Sequence, residues 1–247
     1  MRLYFIALQF LTIIPLPFTV RCEEEDMGRS MALFPVVGLT IGLFLVGLDY
    51  LLGLVFLRPV TELLLVTALA AVTGALHLDG LADVFDGLAA RGGKERFLAV
   101  MKDSRTGAVG VVALVLGLLL KYQALLQVPP DQKRAALLFF PMVARMAQVQ
   151  MTVGALRARA DGLGATFVGG AGAVQFAVAY IVTLSVAFLL LGVPGIYCCI
   201  ILYSLTWGLK AWFHRRLGGI TGDIIGCTSE LNEIAALLAI IALTKLT

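Results

Sequence analysis

The chain reads as an all-α membrane protein, a polytopic bundle of about six to eight transmembrane helices with a polar site facing the cytoplasm. Three observations lead there. Of its 247 residues, 60% are hydrophobic and 14% charged, with a mean hydropathy of +0.96, whereas soluble domains keep about a quarter of their residues charged. The apolar residues form runs long enough to cross about 30 Å of hydrocarbon as helix. The remaining charge is gathered: between His77 and Gly107 stand Asp79, Asp83, Asp86 and Asp103 with Arg91, Lys94, Arg96, Lys102 and Arg105.

The N-terminal apolar run, Leu3 to Ile14, stops at Pro15 and Pro17. It is too short to span and lacks the basic start and small-residue cleavage site of a signal peptide, so an interfacial or half-inserted helix is expected. Glu23-Glu24-Glu25-Asp26 then reads as a solvated loop, which can also gather cations beside the membrane. Residues 1–30 are therefore an interfacial or cytoplasmic segment of a single integral membrane domain covering 1–247. Seven spans are predicted, at 31–57, 60–77, 106–127, 135–156, 172–193, 196–212 and 231–247. Leu57-Arg58-Pro59 and Gly192-Val193-Pro194-Gly195 join neighbouring spans as tight hairpins. Gly38 and Gly42 suit close helix packing. Gly162, Gly164, Gly169, Gly170 and Gly172 lie in or just after a basic loop, as a flexible linker or a phosphate-facing loop. Cys22, Cys198, Cys199 and Cys227 have no metal-ligand spacing.

With the N-terminus in the cytoplasm, that side receives Arg2, Arg21, Arg29, Arg91, Lys94, Arg96, Lys102, Arg105, Arg157, Arg159, Lys210, Arg215 and Arg216. The other receives Arg58, Lys121, Lys133, Arg134 and Lys245. This bias fits the positive-inside rule and puts loops 78–105, 157–171 and 213–230 on one cytoplasmic face. The net charge of +3 is too mild to suggest a nucleic-acid partner.

As a helix, the central stretch sets Asp79, Asp83 and Asp86 at i, i+4 and i+7, within about 60° of one another. Three like charges on a stripe are either a solvated face or ligands for a hard divalent cation such as Mg²⁺ or Mn²⁺. Gly80 and Gly87 beside them leave room for a ligand or another backbone. Asp83 through Arg91 spells D-x-x-D-G-x-x-A-R, which resembles the first half of the CDP-alcohol phosphotransferase signature. Asp103 stands where that signature has its third aspartate, whereas its preceding glycine is Ala99 and its fourth aspartate is Gly107.

A fuller resemblance covers essentially the whole chain. His77-Leu78-Asp79-Gly80-Leu81-Ala82-Asp83, Asp86-Gly87, Met101-Lys102-Asp103-Ser104-Arg105 with Gly107, and Gly219-Ile220-Thr221-Gly222-Asp223, in that order, are similar to the cobalamin synthase family of adenosylcobinamide-GDP ribazoletransferases. The resemblance implies an enzyme of the cell (inner or plasma) membrane with its site towards the cytoplasm. Its Mg²⁺-dependent reaction would join adenosylcobinamide-GDP to α-ribazole or α-ribazole 5′-phosphate and release GMP. Asp79, Asp83, Asp86 and Asp103 would hold one or two metals, with Asp83 and Asp86 at the catalytic centre. Arg91, Lys102 and Arg105 would engage the diphosphate.

Other residues carry two readings each. His77 is a structural histidine or the general base, with a metal-free aspartate as the competing base. If the segment from Gly222 continues as helix, Asp223 and Glu230 share a face, with Glu233 beyond, and either complete the metal site or bind a polarised part of a substrate; the helix dipole alone would also explain Asp223. Arg145, at mid-span, must face protein or water. It either reaches a substrate phosphate or pairs with Asp49 or an acid of the central site. Arg215 contacts the nucleotide or sets topology together with Arg216. A phospholipid-making phosphotransferase and an ion- or proton-coupled carrier are the competing functions. The lipid bilayer is a partner, and homo-oligomers are compatible with the sequence.

Overall fold

The computed structural model describes residues 1–159 and 171–245, and their regular structure is helical. Helix α1 (Arg2–Leu11) and the short α2 (Glu24–Ser30) lead into α3 (Phe34–Gly53). Next come α4 (Arg58–Val72), α5 (Leu76–Ala89), α6 (Lys94–Met101) and α7 (Ala108–Gln127). The remainder is α8 (Lys133–Thr152), α9 (Ala173–Leu191), α10 (Val193–Leu217) and α11 (Gly222–Thr244). Five segments are long and apolar enough to cross a membrane: Glu25–Gly53, α7, α9, α10 and α11. The α4–α5 pair makes a sixth if it counts as one broken span. The protein is a polytopic helical membrane protein, as its composition predicts.

The predicted runs appear as helices, but fewer than seven qualify as spans, because α8, expected over 135–156, is not among the helices apolar enough to cross; two further differences are physical. The second run does not continue straight: Gly74 (φ 60°) and Ala75 (φ 55°) turn the chain by 89° between α4 and α5. The last helix begins at Gly222, nine residues before the expected 231, because Glu230 and Glu233 turn into the protein and not towards lipid.

Helix α8 is the hub. Every residue from Phe139 to Val149 is buried, so its polar side chains meet protein and its composition need not match lipid. Gly38 and Gly42 bring α3 onto it backbone to backbone: a Cβ on Gly42 would stand 2.7 Å from the carbonyl of Leu137. Pro141 deprives that same carbonyl of its usual helical N–H partner. The tight joint before α10 rests on Gly192 (φ 65°), with Pro194 in the first turn.

The N-terminal helix is docked, not free. Ala7 and Leu11 are wholly buried, Tyr4 Oη lies 2.8 Å from Thr40 Oγ1, and Arg2 donates to Asp26 at 2.6 Å. The acidic run there is partly structural, since Asp26 accepts the N–H of Glu23 and closes the N-terminus of α2. Asp49, at the far end of α3, pairs with Lys133 (2.5 Å), which also meets Glu62 (2.6 Å); Arg58 joins Glu62 and caps the end of α7 at the carbonyls of Leu125 and Val128.

Candidate active site at the acidic end of the bundle

The sharp turn at Gly74–Ala75 frees α5 from the direction of α4 and lays it against α7 and α11. Gly80 permits this: a Cβ there would stand 2.6 Å from the carbonyl oxygen of Asp223. Gly226 answers from α11, where a Cβ would lie 3.3 Å from the Cα of His77. Gly87 receives the ring of Phe97 from α6. The buried residues of α5 are thus His77, Gly80, Leu81, Ala82, Val84 and Gly87, which leaves Asp79 exposed and Asp83 and Asp86 half-buried. Asp83 lies within electrostatic reach of Asp79, Asp223, Asp86 and Arg159.

Asp86 has a specific structural task. Its Oδ2 accepts the N–H of Gly107 at 2.6 Å and its Oδ1 that of Gly110 at 2.8 Å, so it caps the N-terminus of α7 from another helix. Gly107 and Gly110 are where a Cβ would run into this carboxylate. An aspartate at 107, as in the CDP-alcohol phosphotransferase signature, would collide with Asp86 as it is held here.

Beside it opens a cleft of about 610 Å³ lined by Asp86, Arg91, Arg96, Asp103, Arg105 and Gly107, among others. Asp103 is clasped by Arg105, whose Nε (3.0 Å), Nη2 (2.7 Å) and backbone N–H (3.0 Å) all donate to it. These hydrogen bonds hold its carboxyl well below the usual range, at about 2. The cleft therefore gathers four residues expected from the sequence and adds Arg96, five residues on from Arg91. Lys102 is exposed on the same loop. Arg215 is exposed in the last turn of α10, and its neighbour Arg216 lies over the rings of Phe97 (5.8 Å) and Trp212 (5.4 Å), tying α10 to α6.

The segment after α8 reaches the same end of the bundle. Ile220 donates to Leu156 O (2.9 Å) and accepts from the N–H of Ala158 (3.0 Å), a short parallel bridge that Gly219 makes possible by having no side chain. The N–H of Leu156 also donates to His214 Nε2 at 3.1 Å. So fixed, Arg159 donates from Nη2 to Asp223 Oδ2 at 2.8 Å. The sequence marks Arg159 only as one charge in a basic loop. Of the glycines expected there, Gly162, Gly164, Gly169 and Gly170 lie outside the described residues.

Three expected site residues sit inside the bundle. His77 is 3% exposed, and its Nε2 lies 3.0 Å from Gln148 Nε2, which also donates to Ser229 Oγ (2.8 Å). Two positions along a helix is about 200° around it, so His77 points away from Asp79 despite their proximity in sequence. Arg145, fully buried, pairs with Glu233 on α11 and not with Asp49. Glu230 pairs with Lys121 at 2.8 Å, and Lys121 also reaches Glu233 at 2.5 Å. Two cations and two anions from α7, α8 and α11 thus form a closed, neutral knot.

Among the described residues, no group of three or more His, Cys, Asp or Glu side chains is placed to hold a metal ion. The donor set still fits Mg²⁺. This ion usually takes one or two carboxylates and completes its shell with water and substrate phosphate. Asp79, Asp83, Asp86 and Asp223 crowd four carboxylates together with Arg159 as the cation acting among them.

Carboxylates set beside arginines at one end of a helical membrane bundle suit the class of membrane-embedded transferases of phosphate-linked groups. Within that class, the chain belongs to the Cobalamin-5-phosphate synthase family, which it matches over residues 3–241. It is 68% identical to an adenosylcobinamide-GDP ribazoletransferase of Geotalea daltonii over 98% of both chains. Proteins of the same name from Pseudomonas fluorescens (39% identity over 96% of this chain and 98% of the relative) and Acetivibrio thermocellus (36% over 91% of each) are also similar. No solved structure matches the chain.

Proposed function

We propose that the protein is an adenosylcobinamide-GDP ribazoletransferase acting on the cytoplasmic face of the cell membrane. The hydroxyl of α-ribazole, or of its 5′-phosphate, attacks the cobinamide-bearing phosphorus of adenosylcobinamide-GDP. A new O–P bond forms, the P–O bond to GMP breaks, and the hydroxyl proton passes to a base. The observation that carries this reading is the cleft in which Arg91, Arg96 and Arg105 stand beside Asp86 and Asp103. Guanidinium groups suit a nucleoside diphosphate, whose charge they neutralise; with the fork of Arg105 held on Asp103, Arg91 and Arg96 are the ones to offer forked hydrogen bonds.

Of Asp79, Asp83, Asp86 and Asp103, the three on the α5 stripe would hold Mg²⁺ or Mn²⁺ with Asp223 near them, since both oxygens of Asp103 are engaged by Arg105. When bound, the ion neutralises non-bridging and leaving oxygens. The remaining work falls to the chain. Asp86, pinned by the α7 N-terminus, keeps a fixed place at the junction between the arginine cleft and the acid stripe. An aspartate of the α5 stripe that the ion leaves free is the base favoured over the enclosed His77. Orientation towards the cytoplasm is supported by the excess of Lys and Arg in the loops at this end. A phospholipid synthase has less support, because Gly107 replaces the fourth aspartate of that signature.

The test is GMP release by purified protein in liposomes given adenosylcobinamide-GDP, α-ribazole 5′-phosphate and Mg²⁺. Release that needs both substrates and collapses in Asp83→Asn supports the reading. Turnover of a CDP-linked lipid donor with no GMP release would replace it.

A further inference from the structure

We infer that Arg159 is the specificity residue that reads the 5′-phosphate of the acceptor nucleoside; the inference rests on the transferase reading above. The acid stripe of α5 separates two cationic places. On one side lie Arg91, Arg96 and Arg105 around the cleft beyond Asp86. On the other is Arg159, held against Asp223 and acting on Asp83. A donor diphosphate seated among the three arginines lies beside Asp86; Arg159 does not line that cleft and is the cation beside Asp223, available to the second substrate. The family's own description, Cobalamin-5-phosphate synthase, specifies a product that keeps a phosphate on the acceptor half. That dianion has to be bound beside four carboxylates, which repel it unless a cation intervenes.

Arg159 is built for this. Its backbone neighbours are fixed by the Leu156–Ile220–Ala158 hydrogen bonds, and its Nη2 is oriented by Asp223, whose Oδ2 is also met by Thr221 Oγ1 at 3.3 Å. Its Nε is buried and has no hydrogen-bond partner. A buried N–H left unpaired is costly, and a phosphate oxygen is an acceptor that removes that cost. The guanidinium can thus keep Asp223 with one nitrogen and offer Nε to the acceptor's phosphate.

The experiment compares kcat/KM for α-ribazole 5′-phosphate with that for α-ribazole, using GMP release by the full-length protein in liposomes. Wild type should prefer the phosphorylated acceptor, and Arg159→Gln should lower that preference by roughly 10- to 100-fold, the loss of one charge-assisted hydrogen bond, mainly through KM. A merely structural role would lower activity with both acceptors alike and leave their ratio unchanged. An unchanged preference in the variant, or none in wild type, overturns the inference. If Arg159→Gln is inactive with both acceptors, Arg159→Lys decides: a greater loss for the phosphorylated acceptor supports the assignment, and equal losses overturn it. Wild type that releases no GMP at all refutes the transferase reading instead.

Discussion

Exchanging Glu233 for glutamine removes one charge from a knot that water does not reach. Glu233 is 1% exposed and accepts from Lys121 at 2.5 Å and from Arg145; Lys121 is also paired with Glu230. The wild-type count is two cations to two anions. In Glu233→Gln it is two to one, and an uncompensated guanidinium or ammonium stays in the interior. Breaking a buried pair in this way costs about 3–5 kcal/mol. For a chain of this size each kcal/mol is about 2–4 °C in midpoint, so thermal unfolding in detergent should shift down by roughly 6–20 °C. The double variant Arg145→Met, Glu233→Gln restores one cation to one anion and should lose less than Glu233→Gln alone. A shift under about 2 °C for the single variant, or strictly additive losses in the double, would refute the account of a closed ionic knot.

Three further perturbations follow from the site's framework. Gly80→Ala places a methyl 2.6 Å from the Asp223 carbonyl and must push α5 from α11; a loss of about 1–3 kcal/mol in stability is expected, with a larger loss of GMP release as Asp83 and Asp223 separate. Ala75→Gly relieves the left-handed backbone at φ 55° and should raise stability by about 1 kcal/mol, read as a higher midpoint with activity retained. Chelation of divalent cations should abolish GMP release and Mg²⁺ or Mn²⁺ restore it, whereas the thermal midpoint should change little, because the knot holding the bundle is ionic without metal.

The helices were legible because lipid and length constrain them. The exceptions are places where protein replaces lipid. Residues 222–230 read as loop because Asp223 and Glu230 look foreign to a span, but α11 begins there since Glu230 finds Lys121 at another point of the chain. The positions of Asp79, Asp83 and Asp86 on one stripe followed from helical spacing alone. The opposite placement of His77 and Asp79 follows from the same spacing. Arg145 required a partner by its depth, but whether Asp49 or Glu233 depends on how α3 and α11 pack on α8, and no local pattern encodes that. Arg159 was invisible for a related reason: its importance comes from a backbone bridge between Leu156 and Ile220, which are far apart in sequence.

Asp86 has a further consequence because its two oxygens already serve the first turn of α7. Anything that binds Asp86 competes with, or adds to, those two N–H groups, so ligation at the cleft and the set of α7 are one equilibrium. The same helix carries Lys121 some three to four turns deeper, in contact with both glutamates. Ligand at the mouth and charge at the centre are therefore ends of a single lever. A shift of α7 along its axis would be felt at both.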